Sequence, residues 1–179
     1  MLLDPEAVQA RAKSLRLVLF DVDGVLTDGS VLIGSDGWEA KAFSIRDGAA
    51  LVIAQREGLT VGLLSGRPSE ATTRRAAELG IGLVVQGGPD KRGAFAKILA
   101  EQGVDPSEVG YMGDDLLDIP VLKRVGLAAA PSDAVPEVRE RVHWISAHAG
   151  GRGAVREFIE LVLRARERWP AIVAMAERH

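Results

Sequence analysis

The sequence contains no cysteine. Disulfides, thiolate metal sites and a cysteine nucleophile are therefore excluded. Histidine is scarce: His143, His148 and His179 all lie late in the chain. A Ser-His-Asp site or a phosphohistidine route is thus poorly supplied, and acid–base work falls to carboxylates, lysine or tyrosine. No stretch approaches the roughly 20 apolar residues that span a bilayer, so no membrane partner is expected. The first residues include Asp4, Glu6, Arg11 and Lys13 instead of the apolar run of a secretory leader, and a cytoplasmic location is expected by default. A basic surplus is missing too: the formal net charge is -3, so nucleic acid is not an expected partner.

What is present suits one soluble domain over residues 1–179, with 47% apolar and 26% charged residues. Asp4, Pro5 and Glu6 supply an N-cap, a first-turn proline and a first-turn acid, which predicts a short helix to about residue 13. Apolar runs at residues 15–20, 59–64, 81–85, 109–112 and 127–130 read as strands. Helical patterns fall between them at 49–56, 69–79, 92–102 and 116–124. Near-continuous apolar strands alternating with helices predict an α/β fold: a three-layer, Rossmann-like parallel sheet with helices on both faces. Residues 30–45 break the alternation and read as a β-hairpin after the first strand, turning at Ser35-Asp36-Gly37. A last helix is expected from about 153 to 169, ended by Pro170, with a tail to 179.

Ligands of such sheets bind beyond the carboxyl ends of the strands, and the polar clusters sit there. Asp21-Val22-Asp23-Gly24 follows the first strand. Carboxylates at i and i+2 on extended backbone point the same way, and two like charges so close either raise a pKa or recruit a cation. An acid–glycine stretch also makes an ordinary solvated turn. Ser65-Gly66-Arg67 ends a second strand before a helix, a place for an anion or for a plain N-cap. Gly113-Asp114-Asp115-x-x-Asp118 ends another; alone it is a capped helix start, but beside the first pair it demands a cation. Lys91 opens a predicted helix between them.

Taken together and in this order, Asp21-x-Asp23, Ser65, Lys91 and Gly113-Asp114-Asp115-x-x-Asp118 resemble the four motifs of the haloacid dehalogenase-like (HAD) superfamily, over about residues 16–163. The resemblance implies that Asp21 is a nucleophile forming an aspartyl-phosphate and that Asp23 is the acid–base group. It implies Mg²⁺ held by Asp21, the backbone carbonyl of Asp23 and Asp114, with Asp118 and Asp115 orienting that shell. Ser65, the N–H of Gly66 and Lys91 would hold the phosphoryl oxygens. The gaps between motifs leave no room for a cap domain.

A narrower resemblance lies in residues 23–29, the hairpin, Phe43-Ser44-Ile45-Arg46-Asp47-Gly48 and residues 150–157. These look like the capless 3-deoxy-D-manno-octulosonate 8-phosphate (KDO 8-phosphate) phosphatases. That family implies a homotetramer whose hairpins form a barrel between subunits and whose tail reaches a neighbour's site. It implies a small sugar-acid phosphate contacted by Ser44, Ile45, Arg46, Asp47, Gly48, Arg67, Arg75 and Lys91. Val52 stands where the family often has another arginine. The alternatives are a phosphatase for a sialic-acid-like (nonulosonate) 9-phosphate and a phospho-accepting signalling module. Receiver modules, however, carry the acid pair at the first strand and the phosphorylated aspartate at the third. An inactive structural subunit is a further reading, which the full motif set opposes.

Overall fold

The computed structural model describes residues 2–178. In chain order the elements are α1 (Pro5–Ser14), β1 (Leu17–Phe20), β2 (Leu32–Ile33), β3 (Glu39–Ala40), α2 (Ile45–Arg56), β4 (Thr60–Ser65), α3 (Glu70–Glu78), β5 (Leu83–Gln86), α4 (Lys91–Gln102), β6 (Val109–Met112), α5 (Ile119–Leu122), β7 (Leu127–Ala130), α6 (Pro136–Arg139), β8 (Trp144–Ile145), α7 (Ala154–Ala165) and α8 (Trp169–Ala176). Strands β5-β4-β1-β6-β7-β8 form one sheet, parallel at every pairing.

Side-chain alternation along the central strands builds the three layers. Val18 and Phe20 of β1, Leu63 of β4 and Met112 of β6 face a core shared with α1, α2 and α7. Leu17, Leu19, Leu64 and Tyr111 face the other way, against Phe95 and Ile98 of α4 and Val121 and Leu122 of α5. With both faces covered, every residue of β1, β6 and β7 is buried. This is why those strands read as unbroken apolar runs. The expected architecture is the observed one, with no cap domain. Among the described residues no helix is long and apolar enough to cross a membrane.

Several local expectations are corrected. The hairpin pairs only Leu32 with Ala40 and Ile33 with Glu39, and Ile45 belongs to α2, because Ser44 N-caps that helix and accepts from Asp47 N at 3.2 Å. The helix expected over 116–124 is a 3₁₀ turn (Leu116–Asp118) followed by the single turn of α5. Pro120 there has no N–H to offer, and the Asp115 carboxylate caps the turn. Pro170 does not end the last helix. The chain breaks at Glu167, which has φ 60°, and Pro170 sits in the first turn of α8, where its missing N–H costs nothing. The Arg156 and Arg164 guanidinium groups lie 5.3 and 5.4 Å from the Trp169 ring and pin α8 to α7. Strand β8 and α6, both short, have no counterpart among the expected elements. His179 of the expected tail lies outside the described residues.

Candidate active site

The three central neighbours β4, β1 and β6 deliver the site at their carboxyl ends. Asp21 leaves β1 with its N–H still on Met112 O at 3.0 Å, so its position is set by the β1–β6 register. Ser65 is the last residue of β4, and Gly113-Asp114 follow β6, where Gly113 N donates to Ala129 O at 3.2 Å. The sheet thus aims groups 93 residues apart at one cleft. That cleft, of about 370 Å³, is lined by Asp21, Asp23, Ser65, Gly66, Arg67, Lys91, Asp114, Asp115 and Asp118, with Gly29 and Leu117 at its edge.

The loop after β1 is wound tightly. Val22 O accepts from the N–H groups of Val25, Leu26 and Thr27. The fully buried Thr27 hydroxyl reaches Val22 O, while Gly24 N and Gly29 N approach it at 3.4 and 3.2 Å. Gly24 has φ +85°, and a Cβ there would lie 2.0 Å from Asp114 Oδ2. Only glycine lets the two acid loops close on each other. Gly150 supports the loop from behind: a Cβ on it would lie 1.9 Å from Gly24 O, and Gly151 N donates to Val25 O at 2.9 Å.

Lys91 opens α4, whose N-cap Asp90 accepts from Gly93 N. Its Nζ lies 2.8 Å from Asp21 Oδ2 and 2.7 Å from Asp118 Oδ1. Asp118 is fully engaged: Oδ1 takes Lys91 and the Tyr111 hydroxyl (2.5 Å), and Oδ2 takes the N–H groups of Asp114 and Asp115 at 2.8 and 3.1 Å. It therefore positions Lys91 and the Asp114 loop. A ring of four acids with one cation is electrostatically expensive. Burial, then the Asp118 charge, push Asp21 up to about 6 against the pull of Lys91 and the Val22 N–H. Burial and the charges of Asp118, Asp21 and Asp115 push Asp114 up to about 8. Burial works to lower the Lys91 pKa, yet Asp118 and Asp21 outweigh it and hold it above its usual value. Burial and the neighbouring carboxylates drive the Tyr111 phenol well up.

These residues fit a hard divalent cation. Oxygen atoms of Asp21, Asp114 and Asp118 lie within 4.8 Å of one another. Asp114 Oδ1 is buried with no hydrogen-bond partner, which is costly unless something else binds it. An all-carboxylate donor set favours magnesium over softer metals. Each Asp118 oxygen already has two protein partners, whereas each Asp21 oxygen has one and Asp114 Oδ1 none, so Asp21 and Asp114 keep lone pairs for a cation.

On the opposite wall the buried Ser65 hydroxyl accepts from Arg67 N at 3.3 Å and donates to Arg67 O at 3.2 Å. Gly66 between them lines the cleft. Arg67 is held by Glu39 of the hairpin at 2.6 Å.

The other expected substrate contacts are not brought to this cleft. Ser44, Ile45 and Arg46 line a neighbouring cleft of about 400 Å³ with Asp28, Phe43 and Arg152. The Asp47 carboxylate is buried and accepts from Gly153 N and Arg156 N at 3.2 and 2.8 Å, holding the start of α7. Gly48 lies under Arg75, where a Cβ would meet Nη2 at 2.2 Å. Arg75 pairs with Glu78 at 2.7 Å. Within one chain, Asp47, Gly48 and Arg75 therefore shape the α2–α3–α7 packing. Val52, half-buried in α2, lines neither cleft. Three residues at the site carry no motif in the sequence: Tyr111, Lys41 (2.7 Å from Asp23 Oδ1) and Glu39. Tyr111 has a usable signal, being the chain's one tyrosine at the end of a motif strand.

A haloacid dehalogenase-like hydrolase family model matches residues 33–126. Over 158 residues, 88% of this chain and 84% of the relative, the sequence is 42% identical to the 3-deoxy-D-manno-octulosonate 8-phosphate phosphatase KdsC of Escherichia coli. A probable YrbI family phosphatase from Pseudomonas syringae superposes with a TM-score of 0.94 at 42% identity, covering 96% of this chain and 97% of that one. The KDO 8-phosphate phosphatase of Moraxella catarrhalis, solved with a magnesium ion, a phosphate ion and KDO, gives a TM-score of 0.92 at 35% identity, covering 94% and 97%.

Proposed function

Because the chain belongs to the haloacid dehalogenase-like hydrolases, and within them to the KDO 8-phosphate phosphatases, we propose that it hydrolyses KDO 8-phosphate to KDO and phosphate through Asp21. The observation that carries this reading is the Asp21–Lys91–Asp118 cluster, facing the unpartnered Asp114 Oδ1 across a cleft walled by Ser65.

In this reading an Asp21 carboxylate oxygen attacks phosphorus. The bond from phosphorus to the sugar oxygen breaks, its electron pair goes to that oxygen, and Asp23 supplies the proton. Water then attacks the aspartyl-phosphate, gives its proton to Asp23, and the bond from phosphorus to Asp21 breaks. Asp21, Asp114 and the Asp23 carbonyl would hold magnesium, which when bound offsets the charge of nucleophile and phosphate. Lys91, Ser65 Oγ and the Gly66 N–H hold the equatorial phosphoryl oxygens, and Asp118, itself anchored by Tyr111, keeps Lys91 aimed. Arg67, alongside, suits an anionic sugar acid. A side-by-side turnover assay on KDO 8-phosphate and a nonulosonate 9-phosphate tests the substrate. The octulosonate ester is expected to be turned over with the higher kcat/KM, and preference for the longer sugar acid would overturn the assignment.

The hairpin supports a homotetramer. Leu32, Ile33 and Trp38 are 64%, 71% and 53% exposed, an apolar tip that suits packing against other copies. Sedimentation is expected to give four chains, and a fully active monomer would refute this. The reaction is placed in the cytoplasm on the same reading, which recovery in a membrane or periplasmic fraction would overturn.

A further inference from the structure

The acid pair is divided between two lysines. Asp21 belongs to Lys91, whereas Asp23 belongs to Lys41: Nζ donates to Oδ2 at 3.0 Å and lies 2.7 Å from Oδ1 as an ion contact, Oδ1 having no hydrogen bond of its own. Lys41 follows β3 at the exit of the hairpin. Its side chain is 0% exposed, and Asp23 is its one ion pair among the described residues. A wholly enclosed ammonium is tolerated only with a partner, so Lys41 stays where it is because Asp23 does, and the converse holds too. Asp23 lines the same cleft but is not one of the three acids, Asp21, Asp114 and Asp118, whose oxygens cluster within 4.8 Å. A carboxylate free to rotate beside such a cluster is drawn in when a cation binds and is lost as a proton donor.

A second set of contacts fixes the strand that carries Lys41. Glu39, two residues earlier, holds Arg67 at 2.6 Å and accepts from Ser69 Oγ at 2.7 Å. The hairpin is thereby bolted to the phosphate-side loop through Glu39 and to the acid loop through Lys41. We infer that Lys41 is a positioning residue that holds Asp23 on the leaving-group side of the cleft, and that the hairpin is part of the acid–base machinery through it. This rests on the reading of Asp23 as the group that protonates the sugar oxygen and later deprotonates water.

The test uses leaving groups that differ in their need for a proton. Lys41→Met keeps the length of an enclosed side chain and removes the charge. On KDO 8-phosphate with magnesium, kcat is expected to fall about 10²-fold, the scale of a displaced general acid, with KM little changed. p-Nitrophenyl phosphate releases nitrophenolate without protonation, so its first step is spared while the second still needs Asp23. A burst of one nitrophenolate per site, then slow turnover, is expected. Lys41→Arg should restore most of the loss. Lys41→Gln carries the same expectation as Lys41→Met and serves if that variant does not fold. Equal losses on both substrates without a burst, or wild-type kinetics on both, overturn the inference. Asp23→Asn run in parallel separates the layers. A burst with Asp23→Asn and none with the Lys41 variants removes only the role of Lys41. No leaving-group dependence with Asp23→Asn removes the reading of Asp23 beneath it.

Discussion

Asp21→Asn is expected to lower magnesium-dependent phosphate release by about 10⁴-fold or more, the scale on which an enzyme loses a group of its reacting unit, while the fold persists. The side chain is isosteric, so the β1–β6 register that places it is untouched. In the native site Oδ1 accepts from Val22 N at 2.7 Å and Oδ2 faces Lys91 at 2.8 Å. An amide keeps only one acceptor, which removes one of these contacts. Against that loss, the variant no longer buries an anion whose pKa is pushed up to about 6. The two changes oppose each other, so the melting midpoint near neutral pH is expected to move little. Loss of turnover therefore reports chemistry, and circular dichroism alongside the assay checks the fold. The variant should also show no p-nitrophenolate burst, because no aspartyl-phosphate can form. Near-wild-type turnover would sink Asp21 as the nucleophile, and with it the whole arrangement of Lys91, Asp118 and Ser65 as its supports.

What can be read from the sequence divides along physical lines. Asp21, Ser65 and Asp114 are legible because each lies at the carboxyl end of a strand buried on both faces, and such strands are apolar runs with polar ends. Lys91 is legible only by its order among them. Asp118 is legible as a spacing, but its work is not: Oδ1 is taken by Tyr111, seven residues earlier in β6, and by Lys91, while Oδ2 takes the N–H groups of Asp114 and Asp115. Asp47 shows the limit most clearly. In the sequence it sits in a polar run before a helix, like a ligand contact, yet it closes the start of α7 more than 100 residues away. Lys41 looks like any lysine after a turn. Its burial goes with the docking of the hairpin on the loop after β4, where Glu39 holds Arg67 and Ser69. Pro170 misleads because proline both ends helices and begins them, and only the break at Glu167 distinguishes the two.

Removing magnesium is expected to abolish turnover and to leave a protein whose stability falls as pH rises from about 4 to about 8. Asp21 and Asp114 have folded-state values raised from 3.8 to about 6 and about 8. A carboxyl whose pKa is higher folded than unfolded binds its proton more tightly in the folded state. Its contribution is therefore fully present below about pH 4 and is lost as pH climbs through the folded value. The metal-free protein should lose stability first through Asp21 and then through Asp114, by a few kcal/mol in all. Each tenfold gain in proton affinity on folding is worth about 1.4 kcal/mol, and the repulsion between the two carboxylates is counted once. Lys91 does not blur this window, because its raised pKa lies above it. Asp28 and Glu39, lowered by hydrogen bonds to Ser30 and Ser69, act below it and with the opposite sign. His143, lowered by burial and then by Arg11, opposes the decline inside the window and is removed by His143→Gln as a control. Magnesium held by Asp21 and Asp114 would replace their protons, and is expected to stabilise most where those protons are absent. Melting curves with chelator and with saturating magnesium should thus diverge progressively from about pH 5 to about pH 8, the expected order for these two groups. Asp114→Asn should flatten both the divergence and the upper half of the metal-free decline. A magnesium shift independent of pH would mean that the cation is not held by the acids of this cleft. The unpartnered Asp114 Oδ1 would then stand as a buried defect with no function to explain it.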